Sequence, residues 1–121
     1  MIDLIPGLPD DVLGVSASGH VDADDYRQVL IPAVEASLAK HTKLRLLFVT
    51  APSFKGYSAG AMWEDAKLGF HHLTHWRKAA IVSDVRWLRS AVAAFAFAIP
   101  CPVQLFRGDQ LDEAKAWLAH D

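Results

Sequence analysis

The chain holds a single cysteine, Cys101, in 121 residues, so no disulfide can form within it. That excludes the disulfide-stapled class of small secreted domains and fits a reducing, cytoplasmic setting. Strong charge of either sign is missing as well: the net charge is -2 at pH 7 and the pI is near 6.3. There is no global basic field to attract nucleic acid. Long hydrophobic runs are lacking, since the longest, Ala91 to Ile99, is about half the ~20 residues a membrane span needs. Met1-Ile2-Asp3 is followed by neither a basic nor an apolar leader segment, so no signal peptide is expected. What is present is apolar. Hydrophobic residues make up 52% of the chain, enough at this length for one folded domain, residues 1–121, with a core of its own.

The stretch from Leu44 to Phe70 organises the rest. Leu44-Arg45-Leu46-Leu47-Phe48-Val49 is a short apolar run of the kind that forms a buried central strand. Thr50 to Ser58 contains Pro52 and Gly56, which mark a loop. Ser58 precedes a run of helix formers and is an N-cap candidate. A strand, a loop and a helix start in that order are where open α/β sheets place ligands.

Around this stretch, Met1 to Ile5 reads as a short edge strand and Val12 to Gly19 as a second strand. Asp22 or Asp24 caps a helix running to about Lys40, with Tyr26, Val29, Leu30, Val34 and Leu38 on its inner stripe. Pro32 falls inside that pattern and should kink or split it. Arg77 to Ser83 reads as a strand, Val85 to Ala98 as a helix stopped by Pro100, Val103 to Phe106 as a strand and Leu111 to Ala119 as a closing helix. The alternation predicts an α/β domain with a mixed sheet of four to five strands flanked by about four helices, antiparallel only at the N-terminal pair.

Several stretches resemble the SpoIIAA-like branch of the STAS superfamily. They are Gly19-His20-Val21 leading to Asp24-Asp25-Tyr26, the strand Leu44-Arg45-Leu46-Leu47, Phe54-Lys55-Gly56, Trp63 to Phe70 with His72, Ala80 to Asp84 with Trp87, and Asp112 to Leu118. The resemblance implies a STAS-like sheet flanked by helices, akin to the lipid-carrying CRAL-TRIO fold, and a capacity for apolar ligands or membrane association. It also implies an anti-sigma-factor-antagonist type of regulation, in which a serine just after the central strand is phosphorylated. The Asp-Ser-Ser-Gly-type motif of those regulators is absent here. The corresponding place reads Ser53-Phe54-Lys55-Gly56-Tyr57-Ser58, with Ser58 near the right spot.

The helix from Val85 is the most informative local feature. From Ala91 onward no face of it is polar, and such a helix is buried or meets a partner, a ligand or lipid. Arg86 and Arg89 in its first turn would then face anionic head groups. Its alanines leave either a close helix–sheet approach or space that an apolar ligand fills. Phe54, Trp63, Phe70, Trp87, Phe95 and Phe97 are the candidate ligand-lining residues. Ser58 and Lys55 form a candidate phosphorylation or anion site at the helix start.

Other chemistry is weaker. His71 and His75 are four apart with His72 adjacent, but the helix ends before His75 and no further ligand stands at a suitable spacing, so no metal is assigned. Cys101, between Pro100 and Pro102, lacks a neighbouring base, and His20 with Asp22 or Asp24 implies no nucleophile, so no catalytic residue is assigned. Lys67, Arg77 and Lys78 read as a solvated rim. The expectation is a non-enzymatic module without a cofactor, binding an apolar or amphipathic small molecule or lipid at the inner membrane surface. The alternative is a regulatory module that binds a protein partner under control of Ser58. Either operates as a monomer or homodimer and without nucleic acid.

Overall fold

The computed structural model describes residues 1–71, 75–96 and 101–120, and the side chains among them except those at positions 65, 66, 68–71 and 95. Five strands form the main sheet: β1 (Ile2–Leu4), β2 (Val12–Ala17), β4 (Leu44–Thr50), β6 (Trp76–Val82) and β7 (Val103–Phe106), side by side in that order. Strand β1 runs antiparallel to β2, with Ile2 opposite Ala17 and Leu4 opposite Val15. The other neighbours are parallel. A second, two-stranded parallel pair joins β3 (His20–Val21) to β5 (Gly56–Tyr57). The sequence pattern does not reveal it, because two-residue strands carry no periodicity.

The first helical region runs on through Pro32 but carries a π-helical segment just before it. Helix α1 (Ala23–Asp25) is followed by a π-helical segment, Tyr26–Leu30, and then by α2 (Ile31–Leu38). Asp22 caps the start: its Oδ1 accepts from the Asp25 N–H at 3.1 Å, and the Asp25 carboxylate accepts from the Asp22 N–H at 2.9 Å. The wide turn before Pro32, closed by the Ile31 N–H on the Tyr26 carbonyl, gives the proline ring room that a regular helix would deny it. Tyr26, Leu30 and Val34 are buried on the inner stripe.

Each connection from β2 to β4, β6 and β7 steps the same way across the sheet. Right-handed crossovers therefore place all the connecting helices on one face. Val34 of α2, Ala61 of α3 (Ala59–His71) and Leu88 of α4 (Arg86–Phe95) share a core with Val15, Leu44 and Phe48. Helix α5 (Leu111–Ala119) follows the last strand and takes the opposite face, where Ala114 and Leu118 pack on Leu47, Ala80, Val82 and Phe106. Burying a side chain the size of Leu47 or Leu118 contributes about 1.5–3 kcal/mol.

Two cations of the sheet hold the end of α5. Arg45, 8% exposed inside β4, donates to the carbonyls of Leu118 and His120 and through Nε to Asp11 at 3.1 Å. Lys78, its register partner on β6, donates to the Trp117 carbonyl at 2.9 Å and to that of His120, and lies 4.7 Å from the Trp117 ring centre. The last carbonyls of a helix have no partner within it and carry partial negative charge. A cation pair beneath them answers both needs, with no basic residue in α5's own last turn. Lys78 is thus a structural cap rather than part of a solvated rim.

Candidate functional site

At the carboxyl ends of the central parallel strands, β4 and β6 are tied together. The Thr50 hydroxyl donates to Ser83 Oγ at 2.8 Å, and Ser83 Oγ also accepts from the Val85 N–H at 3.1 Å. Both acceptor positions of a hydroxyl on a residue that is 1% exposed are thus used. Arg89 Nη1 donates to the carbonyls of Ser83 at 2.8 Å and Phe106 at 2.9 Å. Its guanidinium pins the first turn of α4 to the ends of β6 and β7, so Arg89 is turned inward and does not face head groups as the sequence suggested. Arg86 remains exposed.

The loop after β4 is stitched to β3. Gly19 N–H donates to the Ser53 carbonyl at 3.0 Å, Lys55 N–H to that of Gly19 at 2.7 Å, and Ser58 N–H to that of Val21 at 2.8 Å. Gly56, at φ 138°, takes a conformation that side chains disfavour. The turn presents Phe54 and Tyr57 together. The Tyr57 ring lies 5.5 Å from Phe54, 6.3 Å from Tyr26, 6.4 Å from Phe48 and 6.5 Å from Trp87. Phe54 stacks on Trp87 at 6.1 Å with 27° between the planes. Each such pair adds ~0.5–1.5 kcal/mol beyond burial. The cluster grades from the core to solvent, with Tyr26 1%, Phe48 7% and Trp87 45% exposed.

On the sheet face that carries Ala61 of α3 and Leu88 of α4, two central apolar positions are only partly buried. Leu46 lies opposite Ala79 and Phe48 opposite Ile81, so Leu46 and Ile81 are diagonal neighbours on the face shared with those helices. Both are only half-buried, although they sit on the two innermost parallel strands. A parallel sheet with helices on both sides normally buries such positions. Among the described side chains, those of α4 offer little cover. Leu88 is buried and Val92 half-buried, but Ala91, Ala93, Ala94 and Ala96 have little side chain to lay over the strands, and Ala93 and Ala94 are exposed. Leu46 and Ile81 lie on the same sheet face as Phe48, whose buried ring meets Tyr57 of the aromatic cluster at 6.4 Å.

Of the residues singled out from sequence, Phe54 and Trp87 are brought together. Trp63 is not: it is 64% exposed beside Met62 at 53%, and among the described residues no ring contact joins it to the cluster. The Phe70 and Phe95 side chains and all of Phe97 lie outside the described residues, as does the tail of the predicted helix from residue 97. Ser58 caps α3, its Oγ accepting from the Ala61 N–H at 3.1 Å, and Lys55 is exposed beside Phe54. A hollow of about 160 Å³ lined by Asp10, Ala36, Ser37, Lys40 and His41 lies at the opposite end of the strands. Among the described residues no three His, Cys, Asp or Glu side chains gather as metal ligands. The His71 side chain and all of His72 lie outside that set.

Sequence reading missed Tyr57 as the hub of the cluster, as well as Glu64. Glu64 is 4% exposed and accepts from Arg27 Nε at 3.3 Å and Nη2 at 3.2 Å, with Lys67 Nζ also at 3.2 Å. The Lys67 hydrogen bond holds its carboxyl below the usual range; Arg27 adds to the effect and burial opposes it. Burial raises the Cys101 thiol above its ordinary value, away from nucleophilic use.

A family model described as SpoIIAA-like matches residues 12–119. The chain belongs to the SpoIIAA-like family. Its fold is similar to that of an uncharacterized protein of the DUF3478 family from Shewanella loihica PV-4, whose crystal structure has a SpoIIAA-like fold. The TM-score is 0.76 at 24% identity, over 98% of this chain and 93% of that one. Likeness at that identity speaks to the fold. No curated protein matches this SpoIIAA-like chain. Among its described residues no helix is long and apolar enough to cross a membrane.

Proposed function

We propose that this SpoIIAA-like domain is a non-enzymatic module that binds an apolar or amphipathic small molecule beneath α3 and α4, with peripheral contact to a membrane surface as its setting. The observation that carries the reading is the half-buried pair Leu46 and Ile81 on the innermost strands. Accessible apolar surface there favours an apolar occupant, because covering it returns about 25 cal/mol per Å². The Phe54–Trp87 stack, 6.1 Å between centres, provides a rigid rim. Native mass spectrometry after mild extraction, with liposome flotation alongside, tests this. A co-purified apolar molecule is expected, and a bare protein that also ignores liposomes would refute it.

A second reading rests on Ser58, whose Oγ sits at the start of α3. A phosphate added there is favoured by the helix dipole and would act as a switch for a protein partner. Partner lists that are the same for the wild type and Ser58→Glu, with no modified Ser58 in cells, would remove it.

A further inference from the structure

We infer that the occupant is an anionic amphiphile whose head group lies between Lys55 and Arg86; this rests on the binding reading above. Lys55 follows Phe54 and Arg86 precedes Trp87, so each ring of the stacked pair has a cation next to it in the chain. Both cations are exposed, and among the described residues neither makes an ion pair.

The other cations of the π-helical segment, α3 and α4 are engaged. Arg27 is paired with Asp24 and Glu64, Lys67 with Glu64, and Arg89 with two backbone carbonyls. Asp84, two residues before Arg86, accepts from the Gly108 N–H at 3.1 Å. A Cβ on Gly108 would stand 2.4 Å from Asp84 Oδ2, so that carboxylate is seated close against the Gly108 backbone. Two uncommitted cations therefore adjoin, in the chain, the two rings of the stack, on a domain whose sheet also leaves Leu46 and Ile81 half-buried. An apolar chain suits the surface, and a carboxylate or phosphate suits the rim. A neutral hydrocarbon would leave both cations unused, and a purely ionic ligand would leave the apolar surface uncovered.

Exposed ion pairs are individually weak, so the expected preference is modest. Isothermal titration with laurate and dodecyl phosphate, against neutral dodecanol, should give roughly tenfold tighter binding of the anions at low salt. The difference should shrink as salt is raised. The double variant Lys55→Ala/Arg86→Ala should lose that preference and keep its dodecanol affinity. The charge-preserving Lys55→Arg/Arg86→Lys should retain the preference, with near-ultraviolet circular dichroism verifying that each variant is folded. Equal binding of anionic and neutral probes by the wild type overturns the inference and leaves the binding reading standing. Failure of every probe overturns both. Binding to phosphatidylglycerol vesicles without binding of the free amphiphiles overturns it in favour of a bilayer as the occupant.

Discussion

Replacing Arg45 by methionine removes the charged cap while leaving a stem of similar length in the core. The guanidinium donates to two carbonyls at the end of α5 and to Asp11, and the residue is 8% exposed. Removing one partner of a buried polar set costs about 3–5 kcal/mol, because the remaining groups stay desolvated. Two features place this case at the lower end. The Asp11 side chain is 39% exposed and can rehydrate, and Lys78 still serves the carbonyls of Trp117 and His120. We expect about 3 kcal/mol. For a chain of this size each kcal/mol moves Tm by about 4 °C, so Tm should fall by about 12 °C. Differential scanning calorimetry and urea titration measure it. Because Lys78 shares the His120 carbonyl, the Arg45→Met/Lys78→Met cycle should show a coupling above about 0.5 kcal/mol. A loss below 4 °C in Tm with no coupling would refute the argument that the sheet's cations cap α5.

Gly14→Ala would set a Cβ 2.3 Å from Leu8 Cδ1 and 3.0 Å from Ile5 Cβ. Leu8 can turn away but the Ile5 backbone cannot, so a cost of about 1–3 kcal/mol is expected by urea denaturation; an unchanged midpoint contradicts it. Glu64, whose carboxyl is held below its unfolded value of 4.5, contributes stability that is complete above that pH and lost as pH falls through the lower folded value. Glu64→Gln should therefore flatten the stability curve below about pH 4.5, and a wild-type slope retained there would refute the assignment.

Much of the fold was legible because its signals are local. Leu44 to Val49 is apolar apart from Arg45 and forms the central strand; Asp22 was readable, with Asp24, as a cap, and Pro32 announced the π-helical disturbance before α2. What was not legible depends on residues far apart in sequence. Arg45 looks like a blemish in an apolar run until α5 delivers its carbonyls 73 residues later. Lys78 reads as surface for the same reason. Glu64 and Arg27 are 37 positions apart, and no spacing rule joins them. For the site, the aromatic character of Phe54 and Trp87 was visible, but their stacking depends on the turn at Gly56 and the Arg89 latch. Leu46 and Ile81 are half-buried and the described alanines of α4 offer little cover; from sequence those alanines left close packing and a ligand space equally open. The topology also bears on the opening expectation. The parallel strands step in one direction only, so there is no reversal of strand order beside β4 to open a crevice.

The central claim is that apolar surface on the innermost strands is open to a ligand. Methyl NMR of the protein labelled at Leu and Ile, titrated with laurate, tests it most directly. Saturating shifts of the Leu46 and Ile81 methyls, with Leu118 on the opposite face unmoved, are the predicted result. Laurate that leaves the Leu46 and Ile81 methyls unmoved would contradict it.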